Sequence, residues 1–132
     1  MTKVISIATR SRTEFIDVTS RVEEVVKKSG VENGICFIFS PHTTAGVTIN
    51  EGADPSVRED IIYQLNKIVP FSSDYRHLEG NSPAHIKTSL VGSSCTVAIE
   101  NGKLHLGTWQ AIFFCEFDGP RARKLVIKIL KE

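Results

Sequence analysis

The sequence is short of cysteine, of charge of one sign and of long apolar runs. Its formal net charge is +1, too small for a broad field that would draw nucleic acid or an anionic membrane. No apolar run approaches the roughly 20 residues that a membrane-spanning helix needs. The opening MTKVISIATRSR has an apolar stretch too short and interrupted for a secretory signal. The expectation is a protein kept in the cytosol, without nucleic-acid or membrane partners. Three cysteines, Cys36, Cys95 and Cys115, form no CxxC pair and each lies in an apolar run. They read as small buried hydrophobes rather than as disulfide or metal residues. There is no GxGxxG, no Walker pattern and no nucleophile elbow, so neither nucleotide binding nor covalent serine chemistry has a motif behind it.

What is present is ordinary for a globular protein: 41% hydrophobic and 23% charged residues over 132 positions. That length suits one domain spanning residues 1–132. Strands are expected around 3–9 and 15–18. Val22, Val25 and Val26 then fall at helical spacing, with a Ser20/Glu23 capping box and Gly30 as the stop. GICFIFS, residues 34–40, has no polar alternation and reads as a strand buried on both faces. A further strand is expected at 45–50. Asp54-Pro55 starts a helix whose stripe is Val57, Ile61, Leu65 and Ile68, closed by Pro70. A short helix is expected at 84–90. Asn101-Gly102 is a hairpin signal joining strand 94–100 to a long partner over 103–117, and a last strand covers 124–130.

The tally is α+β: a single domain of about seven mostly antiparallel, hairpin-linked strands in two layers, with two or three helices. Both sides of the long strand are apolar, Trp109 to Phe117 on one and Gln110 to Glu116 on the other. Either layers of the same chain cover it or a homo-oligomer does.

The polar segment FSSDYRHLEGNSPA, residues 71–84, is longer than a connection needs to be, which marks it as functional. His77 and His85 bracket it, and His42 follows Pro41 at the end of a buried strand. Three imidazoles suit a catalytic zinc site with one open position, although His-x7-His matches no standard zinc spacing. The alternative is histidines that only hydrogen-bond. His105 alternates with Leu104 and Leu106 and reads as structural or solvent-facing. Glu51 is a candidate general base or partner of a metal ligand, or else a solvated loop carboxylate. Asp54 is sufficiently explained as a cap. Glu116, in FFCEF, must be paired, protonated or bound. It is either in a buried ion pair with Arg121 or Arg123, or part of a substrate site. Arg121, Arg123 and Lys124 are the local basic group that could meet an anion or phosphate.

SPHTTAGVTINEGADPSVRED, YRHLEGNSPAHIKTSLVGSS and GKLHLGTWQAIFFCEFDGPR together closely resemble the YjbQ-like family, also called the secondary thiamine-phosphate synthase family. The most specific string is GTWQ, residues 107–110, followed by an apolar stretch and Glu116. The resemblance implies a two-layer α+β fold, a homotrimer, and a divalent metal, zinc, on His42, His77 and His85. It also places Asn50, Glu51, Asp54, Asp60, Gln110 and Glu116 at the family's polar motif positions. Relatives read RHDEG-like where this chain has Leu78 before Glu79, so the acidic group next to His77 is missing. The implied activity joins a phosphorylated thiazole to a pyrimidine pyrophosphate, with a metal and Arg123 neutralising the leaving group. The expectation is therefore a metal-dependent enzyme acting on a small phosphorylated molecule. Asn50, Gln110 and Arg123 would bind it, with Glu51 and Glu116 catalytic. The alternatives are a metal-assisted hydrolase with Glu51 activating water, and a non-catalytic trimeric metal- or ligand-binding module.

Overall fold

The apolar stretch before Asp118 forms the middle layer of the molecule. In the computed structural model, which describes residues 1–132, it is strand β7, Gln110–Glu116. Before it come β1 (Thr2–Ala8), β2 (Glu14–Asp17), α1 (Thr19–Ser29), β3 (Gly34–Phe39), β4 (Ala45–Glu51), α2 (Pro55–Ile68), α3 (Ser82–Val91), β5 (Ser94–Glu100) and β6 (Lys103–Leu104), and β8 (Ala122–Lys131) follows it. The sheets run β1-β8-β3-β5-β6 and β2-β7-β4, and every pairing is antiparallel. No helix is long and apolar enough to cross a membrane.

The α+β class and two sheets are as expected, but the wiring differs. Only β5–β6 is a tight hairpin; the other pairs join strands distant in sequence. Its turn has Asn101 and Gly102 at φ 53 and 74, the left-handed pair that a two-residue hairpin demands. The expected long partner of β5 is two strands, which makes eight. After Leu104 only the His105 N–H still bonds across, to Ala98 O at 2.8 Å. The chain then leaves the five-stranded sheet through Gly107 and enters the other as β7.

Alternation along β7 explains its composition. Ile112 and Phe114 face the main core between the sheets, with Val22, Val25 and Val26 of α1 and Ile38 and Ile127 of the facing sheet. Ala111, Phe113, Cys115 and Phe117 face the other way, onto Phe15, Ala84 and the half-buried Ile61, Ile62 and Leu65 of the α2–α3 layer. The chain covers this strand by itself, so its two apolar sides do not call for an oligomer. β3, in contrast, is not buried on both faces. Cys36 and Ile38 point inward, whereas Ile35 is exposed beside Leu130, its neighbour in register. Nothing in the chain lies over the outer face of the five-stranded sheet there.

Helix ends follow local chemistry in part. Asp54 Oδ1 accepts the Ser56 N–H at 2.9 Å, and Gly30 ends α1 at φ 70. The Ser20/Glu23 capping box does not form. α1 starts two residues earlier, with Val18 as its N-cap, where Asp17 Oδ1 accepts the Thr19 N–H and Thr19 Oγ1 accepts the Ile112 N–H, at 2.9 and 2.8 Å. These bonds fix the helix to β7, which a free cap would not. The α2 stripe is only half covered: Ile68 is exposed and no residue of the helix is fully buried. The thiols sit inside, and burial pushes Cys36 up to about 12 and Cys95 up to about 11, so neither is a thiolate near neutral pH.

Truncating Phe114 to Ala should cost about 3–5 kcal/mol, whereas Asp54→Ala, which removes only an exposed helix cap, should cost several-fold less. Urea unfolding of both variants checks the ratio.

Candidate functional site

The β4–β7 register divides the residues expected to act together. Ala45 lies opposite Glu116 and Glu51 opposite Gln110. At about 3.4 Å per residue, these two positions are roughly 20 Å apart along the sheet. Glu116, Arg123 and the three histidines cluster at one end; Asn50, Glu51 and Gln110 stand at the other.

At the first end, Glu116 is 0% and Arg123 5% exposed. Glu116 Oε1 accepts from Thr9 Oγ1 at 2.7 Å and from Arg123 Nε at 2.8 Å. Oε2 accepts from the Asp118 N–H at 3.0 Å and again from the Arg123 guanidinium. Arg123 also donates to Thr44 Oγ1 at 2.8 Å. Burial pushes the Glu116 carboxyl up, but Arg123, the Asp118 N–H and Thr9 outweigh it and hold it below its ordinary value. The ion-pair alternative for Glu116 therefore describes the structure. Both Glu116 oxygens and the Arg123 Nε and Nη2 groups are engaged inside this network, which leaves Arg123 Nη1 as the pair's one nitrogen without a partner. Arg121 pairs with Asp118 at 2.9 Å.

His42 sits just beyond the end of β3. That strand's last partner on β8 is Val126, so the Lys124 N–H has no strand acceptor, and His42 Nε2 takes it at 2.9 Å. Burial lowers the pKa of His42, and the nearby Arg123 lowers it further. With Nε2 as the acceptor, its lone pair is committed to Lys124 and a ring proton sits on Nδ1. His77 and His85 meet edge to face, ring centres 5.4 Å apart. Glu79 Oε2 stands 3.8 Å from His77 Nε2, so a carboxylate does lie beside this histidine despite Leu78, which is 98% exposed. His42 and His85 line one depression of about 370 Å³ with Thr43, Thr88, Ser89 and Ser93, and no apolar side chain joins them.

Do these residues suit the metal that the sequence resemblance implies? The donor chemistry does: imidazoles suit zinc, and separate segments bring His42 and His85 to one depression with His77 against His85. The three-histidine centre is not assembled within one chain, however. No three His, Cys, Asp or Glu side chains stand together as a metal requires. His77 and His85 are the adjacent pair, and His42 joins them only by releasing Lys124.

At the far end, Asn50, Glu51 and Gln110 line a shallow depression with Ile49 and Trp109. Each polar side chain also serves its own turn. Asn50 Oδ1 accepts the Glu51 N–H, Glu51 Oε2 the Ala53 N–H and Gln110 Oε1 the Gly107 N–H, each at 2.8 Å. Their remaining donors and acceptors, beside a Trp109 that is 65% exposed, can hold a polar, flat group. Within one chain Glu51 is too far from the histidines to activate water on a metal there. His105 pairs with Glu100 at 2.9 Å on the surface, as its alternation suggests. Thr44 and Thr9, which complete the Glu116 network, carry no signal in sequence beyond being hydroxyls.

The family model for UPF0047, YjbQ-like proteins, matches residues 3–132. The chain belongs to the YjbQ-like family. It is 49% identical over 131 residues to the UPF0047 protein YugU of Bacillus subtilis, covering 98% of this chain and 99% of that one. It is 54% identical over 124 residues to a UPF0047 protein of Methanocaldococcus jannaschii, covering 94% and 90%. Among solved structures, a YjbQ/UPF0047 protein of Clostridium acetobutylicum superposes with TM-score 0.96 at 55% identity, covering 97% and 99%. One of Sulfolobus solfataricus, described as of unknown function, superposes with TM-score 0.96 at 36% identity, covering 100% and 97%. The similarity to YjbQ-like proteins thus extends through both depressions.

Arg123→Met should cost about 3–5 kcal/mol, because it leaves Glu116 buried and unpaired. The wild-type pair also gives stability a pH dependence. With its folded pKa depressed, Glu116 contributes fully above the ordinary carboxylate range, and the contribution disappears as pH falls through the depressed value. Glu116→Gln should flatten that acid limb, read from urea midpoints across the acid range.

Proposed function

We propose that this YjbQ-like protein is a metal-dependent enzyme acting on a small phosphorylated substrate at the histidine depression, with thiamine-phosphate synthesis as its nameable activity. The observation that carries the reading is a depression walled by hydroxyls and by His42 and His85, with His77 packed edge to face against His85. Such a wall offers hydrogen bonds to phosphate oxygens and nothing to an apolar ligand.

His77 and His85 would hold a divalent metal, zinc by the preference of imidazole, with His42 as the third ligand. Bound there, the metal supplies the positive charge that a departing pyrophosphate needs. The chain's own groups do the rest. Thr43, Thr88, Ser89 and Ser93 orient phosphate oxygens, and Glu79 beside His77 fixes that ring. His42 Nε2 rests on the Lys124 N–H until an ion is present, and as third ligand it would give up that bond. The Glu116–Arg123 pair holds the strand ends that carry these groups. A hydrolase with Glu51 as its base is less well supported, since one chain separates Glu51 from the histidines.

One observation bears on assembly: Val4, Ile35 and Leu130, each about half exposed, lie on the uncovered outer face of the five-stranded sheet. A homotrimer would bury that face whichever function holds. We place the protein in the cytosol on composition.

The test is metal content of purified wild type and His85→Ala, read with thermal stability. The enzyme reading expects one divalent ion per chain, lost in the variant without loss of fold. No metal in either protein after incubation with zinc would overturn the metal reading; collapse of the variant's stability would make the ion structural. Sedimentation should show three chains, with Ile35→Glu shifting the mass downward.

A further inference from the structure

Lys87 is 1% exposed and heads the large side chains wholly inside the molecule. Pro83, Ala84, Lys87 and Thr88 form the buried face of α3. The Lys87 ammonium donates to Asn66 Oδ1 of α2 at 2.6 Å and lies 4.1 Å from the centre of the Phe71 ring. Arg12 sets its guanidinium over the same ring at 4.8 Å. No carboxylate pairs with either cation within 4.0 Å. Thr13, next to Arg12, adds a buried hydroxyl with no partner.

Buried charges are normally matched by an opposite charge. Lys87 instead has one aromatic ring and one neutral amide, and the exposed Arg12 sets a second cation over the same ring, so positive charge and N–H donors meet here without an anion. Their cover is weakly held. Phe71 is 40% exposed, and between Pro70 and Gly80 the one backbone–backbone hydrogen bond runs from Tyr75 N to Ser73 O. A segment with so few bonds opens more readily than the core beneath it.

We propose that Lys87 and Arg12 form a binding site for a small oxyanion, free phosphate or the phosphate of a metabolite, with Phe71 as its cover. The ammonium supplies a point charge and the guanidinium a planar fork, the two forms of phosphate recognition. The site is separate from the histidine depression, which His85 and Ser89 line from the same helix and Lys87 does not.

The experiment is thermal unfolding at constant ionic strength in chloride, then with millimolar inorganic phosphate or glycerol phosphate. Wild type should melt higher with either, and the larger response identifies which source the site prefers. Arg12→Gln, at an exposed position, should fold normally and lose most of the shift. Lys87→Met should lose the shift and melt higher than wild type in chloride alone, since it removes an unmatched charge. A shift that survives in Arg12→Gln, or none in wild type, overturns the proposal. If the shift survives there but vanishes in His85→Ala, the anion belongs to the histidine depression, which leaves the proposed function standing and this one overturned.

Discussion

The Glu116–Arg123 pair joins the two sheets, and the arrangement of the histidine end depends on it. Glu116 ends β7 in the three-stranded sheet, and Arg123 is the second residue of β8 in the five-stranded one. Through Thr44 and Thr9 the same network reaches the segment ahead of β4 and the exit of β1. Such a pair does not by itself make a fold more stable, because two desolvated charges recover roughly what they lose. It makes other registers costly. Sliding β7 by one residue would turn Glu116 onto the α2–α3 face, away from its guanidinium. Lys124, next to Arg123, then offers His42 the N–H that sets its ring. The histidine is thus placed by a chain of bonds that begins at the ion pair.

Much of the fold was legible because it follows from periodicity and turn chemistry. The Val22/Val25/Val26 face, Gly30, Asp54-Pro55 and Asn101-Gly102 each specify their own neighbourhood, and the structure uses each one. The pairing of strands was not legible in the same way. Antiparallel partners here lie up to 126 residues apart, as with Thr2 and Lys128, and no local pattern encodes such a match. The broken strand at Leu104 shows the same limit. An apolar run carries no mark of the sheet to which it belongs, and Gly107 is only a weak sign that the chain changes sheets.

The candidate site divided for a related reason. Residue chemistry and family resemblance select Asn50, Glu51, Gln110 and the three histidines together, but neither contains distance. The register supplies it, and two half-sites emerge at opposite ends of β4 and β7. Lys87 was invisible from the other direction. In PAHIKTSL it reads as a solvated helix lysine, which is what most lysines are. Only the packing of α3 on α2 places it inside.

The committed lone pair of His42 is the strongest objection to a metal, and magnitudes decide how much it weighs. Releasing Lys124 gives up one neutral hydrogen bond, worth about 0.5–1.5 kcal/mol net. The cost stays near that range because Lys124 is exposed, so water can take the freed N–H. A zinc ion on imidazole and thiolate ligands gains on the order of 10 kcal/mol in small zinc domains. Under the proposed metal reading, even a fraction of that gain from two histidines would outweigh the lost bond, so the third imidazole would be recruitable. The bond to Lys124 then acts as a holder: it keeps the His42 ring at the rim of the depression with Nε2 unprotonated, as a ligand nitrogen must be.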